Sequence, residues 1–173
     1  MVILVDKYDN PTGKMKKIEA HRKVLLHLVF SVFIFNIKGE LLLQHRARNK
    51  YHSGRLWTNT CCSHPYLGEG TGHAAYRRLM EEMGMDTNLE YIRKFIYKAP
   101  FDNALTEHEL DHIFIGIAND QPHINPNEMS EYKYISLPDL EKDIKEHPEQ
   151  YSAWFYIILE KFMQEISKTK ARH

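Results

Sequence analysis

The sequence predicts an α/β or α+β domain in which a mixed β-sheet is sandwiched between helices. Three observations predict it. Short apolar runs rich in Val, Ile and Phe alternate with turn signals, as strands do. Segments at 72–83 and about 148–167 carry apolar residues at helical spacing. Length and composition, 173 residues with 43% hydrophobic and 27% charged, suit one domain over 1–173 with one sizeable core.

Each element has a local reason. Val2–Val5 reads as a short strand, and Asp9-Asn10-Pro11-Thr12-Gly13 is turn chemistry that fits a hairpin. His27 to Asn36 reads as a buried strand, Lys38-Gly39 as a turn, and Glu40 to Gln44 as the returning strand. Gly68 and Gly70 break the chain before a helix over Gly72 to Met83, whose face is Ala74, Ala75, Leu79 and Met83 and whose C-terminal cap is Gly84. Leu89–Tyr97, Glu109–Ala118 and Tyr132–Ser136 read as further strands. Leu137-Pro138-Asp139 opens a helix, and a last helix from about Pro148 to Ser167 closes the structure.

Bulk properties exclude several classes. There are 23 basic and 23 acidic residues, so the excess of positive charge that a nucleic-acid binder needs is missing. Val2–Val5 stops at Asp6, and Leu28–Phe35 is interrupted by Ser31. Neither is long enough for a signal peptide or a membrane span, which places the expected chain in the cytoplasm. Cys61 and Cys62 are neighbours. In a strand they point to opposite faces, so a mutual disulfide would be strained and free thiols are expected. A monomer or weak dimer acting on a small molecule fits these properties.

Ser63 to Met85 contains Glu69, Arg77, Leu79, Glu81, Glu82 and Gly84. It resembles the Nudix box, a loop–helix–loop whose helix presents carboxylates to a divalent metal on a diphosphate. Residues three and four apart share a helix face, so Arg78, Glu81 and Glu82 can look toward one site. Two positions depart from the pattern: Ser63 stands where a glycine opens the box, and Arg78 where a glutamate normally follows the first arginine. An arginine there would bind phosphate, which points away from hydrolysis and toward a member that binds a diphosphate without cleaving it. Hydrolysis of nucleoside diphosphate derivatives is the alternative reading.

Trp57-Thr-Asn-Thr-Cys-Cys-Ser-His-Pro65 immediately precedes the box and resembles the cysteine motif of type I isopentenyl diphosphate isomerases. The likeness continues in order through Lys17, His21, the strand from His27, Arg46, Lys50, Tyr51-His52-Ser53-Gly54, Tyr97, Glu107-His108-Glu109 and Tyr151-Ser-Ala-Trp154. It implies a Nudix fold and a metal site of His21, His27, His64, Glu107 and Glu109, whose three imidazoles and two carboxylates suit Mn²⁺ or Zn²⁺. Glu107 and Glu109 are two apart in a strand and share a face; His108 points the other way. The likeness also implies that Cys62 and Glu109 exchange protons with opposite sides of an alkene, with Tyr97 in their network. Trp154 would offer a π face to the carbocation. Lys17, Arg46, Lys50 and Arg78 would hold the diphosphate, with Mg²⁺ bridging it to Glu82. His45, His52, His73, His112, His123, His147 and His173 are read as surface residues, and Cys61 as a small buried apolar one.

Overall fold

The computed structural model describes residues 1–50, 53–101 and 104–171, and the side chains of all of these except 162, 164 and 166–171. Tyr51, His52 and His173, named above, lie outside the described residues. The strands are β1 (Val2–Val5), β2 (Pro11–Met15), β3 (His27–Phe35), β4 (Leu41–Arg46), β5 (Trp57–Thr58), β6 (Cys61–Ser63), β7 (Glu90–Phe101), β8 (Leu105–Ile117) and β9 (Met129–Ile135). The helices are α1 (Lys17–Arg22), α2 (Thr71–Met83), α3 (Leu137–Glu146) and α4 (Ala153–Ala171). The strands form one mixed sheet, in the α+β arrangement predicted.

β3 organises the sheet. It runs parallel to β8 and antiparallel to β1, β4 and β6. All nine of its residues are buried, because both of its faces are covered, and a strand in that situation reads as a continuous apolar run. Phe33 and Phe35 pack with Leu137 and Leu140 of α3 and Phe155 and Ile158 of α4. Phe30, Val32 and Ile34 pack with Ala74, Ala75, Leu79 and Met83 of α2. The side-chain period of two therefore assigns every odd position of β3 to the α4 side and every even one to the α2 side.

The expected glycine cap forms: Gly84 ends α2 in the left-handed region at φ 60°. Ser136, read as the end of a strand, instead caps α3, its hydroxyl accepting from the Asp139 N–H. The last helix differs from the expectation. It begins at Ala153, not near Pro148. Pro148–Gln150 form a separate 3-10 turn, and the chain then extends so that Tyr151 bridges Trp57 and the Ser152 N–H donates to the Trp57 carbonyl at 2.9 Å. That docking stops helix from growing back to the proline. β7 and β8 reach toward each other beyond the expected bounds, and α1, β5 and β6 are too short to show a period.

Candidate active site and metal centre

Register builds the site. His27 of β3 lies opposite Glu109 of β8, Tyr97 of β7 is opposite Glu109 from the other side, and Ala99 is opposite Glu107. Ser31, four residues along β3, pairs with Cys62 of β6. By the two-residue period, His27, Ser31, Cys62, Tyr97, Glu107, Glu109 and Asp111 share the α4 side of the sheet. His108 faces away, its ring bonded to the Val24 carbonyl at 3.0 Å.

Glu109 divides its two oxygens. Oε2 accepts from the Tyr97 hydroxyl. Oε1 is ringed by imidazole Nε2 atoms at 3.2 Å from His27, 3.7 Å from His64 and 3.8 Å from His21. The two longer separations exceed hydrogen bonds. The His27 Nδ1 lies 2.9 Å from the Leu25 carbonyl, which can only accept, so this nitrogen carries the proton. In the neutral ring Nε2 is then bare and faces a carboxylate oxygen, an arrangement that favours a cation among them. The His64 Nε2 is buried with no hydrogen-bond partner among the described residues. Ligand atoms about 2.1 Å from one ion lie about 3 Å apart when adjacent, close to these spacings. His21, His27 and Glu109 are fully buried and near enough together to hold a metal ion. The donor set therefore fits a divalent ion.

Electrostatics sort the titratable groups. Burial opposes ionisation of Glu109, whereas positive charge at Oε1, carried by protonated imidazoles or by a divalent ion in their midst, holds this carboxyl well below the usual range. Burial, and then the Glu109 charge, push Glu107 well above it. Burial lowers His64 to about 4, leaving its ring neutral and able to donate a lone pair. The Cys62 thiol is raised well above its ordinary value by burial, then by Asp111 and Glu109, so sulfur keeps its proton. Burial, then Glu109, raises the Tyr97 phenol likewise.

The basic residues fall into two pairs. Lys17 and Arg46 lie close to Cys62 and Glu107, and burial lowers both. A register shift between β4 and β9 at His45/Arg46 breaks the alternation, and the Arg46 guanidinium sits 5.1 Å over the Trp154 ring. Lys50 and Arg78 instead meet at Glu128. Arg78 also pairs with Glu81 and with the buried Glu82, which accepts from the Gln44 amide at 3.1 Å. Trp154 is buried on α4, its ring N–H donating to Asn59 at 3.2 Å. Cys61 faces the other way, into the α2 cluster.

Sequence reasoning missed Ser31, Asp111 and Asn59. Ser31 donates to Asp111 at 2.7 Å and lies 3.7 Å from the Cys62 sulfur. Asn59 bonds the Val32 and Cys61 carbonyls as well as Trp154, fixing the cysteine segment to the C-terminal helix. Only Asp111 carried a usable signal: it continues the alternation of Glu107 and Glu109.

This sheet, with its carboxylate-bearing α2, defines a NUDIX domain protein: that family matches residues 25–155. The MutT protein of Methanosarcina mazei shares the fold, with a TM-score of 0.66 at 21% identity over 81% of this chain and 94% of that one. Sequence relatives narrow the class. The isopentenyl-diphosphate Delta-isomerase of Pectobacterium atrosepticum is 51% identical over 156 residues, covering 90% of this chain and 87% of the relative. Isopentenyl-diphosphate Delta-isomerase 2 of Photorhabdus laumondii is 49% identical over 159 residues, covering 92% and 90%. The chain belongs to the isopentenyl-diphosphate Delta-isomerase family and is an enzyme of it. Among the described residues no helix is long and apolar enough to cross a membrane.

Proposed function

We propose that the chain interconverts isopentenyl diphosphate and dimethylallyl diphosphate, adding a proton to one carbon and removing one from another through a tertiary carbocation. The observation that carries this reading is the Cys62 thiol and the Glu109 carboxylate placed on one sheet face, with the Tyr97 hydroxyl and three imidazoles around the carboxylate. Cys62 is equipped to give a proton and Glu109 to take one; the roles exchange in the reverse direction. Tyr97 holds the second oxygen of Glu109 and so fixes the carboxylate plane. Trp154 closes the α4 side, and its π system faces a transient cation at an energy of roughly 0.5–2 kcal/mol. Exclusion of water protects that cation from capture.

His21, His27, His64, Glu107 and Glu109 would hold Mn²⁺ or Zn²⁺, with Mg²⁺ at Glu82 against the diphosphate. Bound there, the divalent ions would neutralise buried carboxylates and substrate oxygens. Lys17 and Arg46 are near enough to the thiol to anchor the inner phosphate, and Lys50 with Arg78 the outer one. Arg78 in place of a box glutamate disfavours hydrolysis.

The test is NMR of labelled isopentenyl diphosphate with the wild-type chain, Cys62→Ala and Glu109→Gln. The allylic isomer should form with wild type alone, while both variants still bind pyrophosphate. Cleavage of dATP or ADP-ribose without isomerisation would overturn the reading, as would substantial turnover by both variants.

A further inference from the structure

Lys50 and Arg78, two of the cations proposed for the diphosphate, share one anion. The Lys50 ammonium contacts Oε2 of Glu128, and Arg78 Nη2 lies 3.3 Å from Oε1 of the same residue. One carboxylate thus spans both cations, as one end of a phosphate would. Its place is fixed. The Glu128 carbonyl accepts from the Ala47 N–H at 3.1 Å, and its own N–H donates to the Asn125 carbonyl at 3.0 Å. This backbone ties the residue to the loop that carries Arg46 and Lys50. The side chains of Lys50, Arg78 and Glu128 are 25%, 19% and 22% exposed, so solvent screens their attraction only in part.

Charge counting gives this arrangement a consequence. Lys50, Arg77 and Arg78 bring three positive charges, and Glu81, Glu82 and Glu128 three negative ones. With Glu128 seated, this end of the cradle has no positive excess to attract a weakly charged anion. A newcomer must displace a carboxylate held by two cations. A diphosphate can do so, because it carries more charge and offers bidentate oxygens to Arg78 while its other end meets Lys17 and Arg46.

We propose that Glu128 is an internal occupant of the phosphate cradle and sets its anion selectivity, releasing Lys50 and Arg78 to a diphosphate but not to a single phosphate. Glu128 is on this view a specificity residue that touches no reacting carbon. The proposal rests on the reading that Lys50 and Arg78 hold the substrate's diphosphate.

The experiment is calorimetric titration of the full chain with inorganic pyrophosphate and, separately, inorganic phosphate, without added divalent ions. Wild type, Glu128→Gln, Glu128→Ala, Lys50→Ala and Arg78→Ala are compared. Lys50→Ala and Arg78→Ala should each weaken pyrophosphate about tenfold or more. Both Glu128 variants should bind phosphate about tenfold tighter than wild type, narrowing the preference for pyrophosphate. If the Glu128 variants bind phosphate no better while the cation variants lose pyrophosphate, the selectivity proposal falls and the cradle stands. If the cation variants keep full pyrophosphate affinity, cradle and proposal fall together. Two substitutions at position 128 guard against a fold defect in one of them.

Discussion

Glu109 divides four neighbours between two oxygens: Oε2 takes the Tyr97 hydroxyl and Oε1 faces three imidazoles. Removing the hydroxyl alone separates positioning from charge. Tyr97→Phe should lower kcat by about 10–100-fold with little change in KM, the usual cost of losing an outer partner of a metal ligand, the role proposed for Glu109. Steady-state kinetics check this, and a KM that rises in step with the fall in kcat would assign Tyr97 to substrate binding. Asn59→Ala should cost about 1–3 kcal/mol by leaving the Val32 and Cys61 carbonyls and the Trp154 N–H without their partner, read as a lowered urea midpoint. The residue scale was also where the sequence was only partly legible. Polar residues with a family likeness, such as Cys62 and Glu109, stood out. Ser31 and Asn59 are single polar residues in segments whose neighbours decide their burial, and nothing local marks them. Asp111 was within reach of the alternation argument already applied to Glu107 and Glu109.

At the scale of elements, α2 was the most legible, because its apolar period and its glycine cap agree. A Cβ at Gly84 would stand 2.8 Å from the His123 Cβ and 3.0 Å from its carbonyl oxygen, at a φ of 60°. Gly84→Ala should therefore destabilise by about 1–3 kcal/mol, seen as a fall in Tm of roughly 2–4 °C for each kcal/mol. Ahead of α2, hydrogen bonds from Arg77, with further ones from the Tyr66 N–H and the His73 ring, hold the Glu69 carboxyl at about 2 against burial. A carboxyl depressed in the folded state contributes stability above its ordinary value of 4.5, lost as pH falls from there toward 2. Glu69→Gln should be less stable than wild type by on the order of 2 kcal/mol at neutral pH, and the two should converge at acid pH. Urea unfolding at several pH values measures this; a pH-independent difference would remove the ion pair as its cause. The start of α4 was misread because Pro148 is a fair helix opener locally, whereas docking of Ser152 on Trp57 is a tertiary fact. β5 and β6 are two and three residues long and owe their form to pairing with β4 and β3.

For the molecule as a whole, the cluster on β8 carries buried negative charge that folding must accommodate. A metal that binds the folded state alone adds about 2.7 kcal/mol at 100 times its dissociation constant. Strong chelator should thus lower the Tm, added Mn²⁺ or Zn²⁺ should restore it, and His27→Ala should abolish both responses in scanning calorimetry. A Tm that ignores chelator would argue against a resident ion in the histidine nest. The layered sheet and its helix-covered faces were legible from apolar period and turn chemistry, because those patterns record burial directly. Which residues meet across strands was not, since register is a relation between distant segments.

That shared register limits what evolution can change. His27 meets Glu109 on one flank of β3, and Ser31 meets Cys62 on the other. Inserting or deleting one residue between 27 and 31 would turn one end of the strand over, parting the imidazole from its carboxylate or the serine from the sulfur. Length variation among descendants of this chain should accordingly gather in the connections between strands and spare that stretch of five residues.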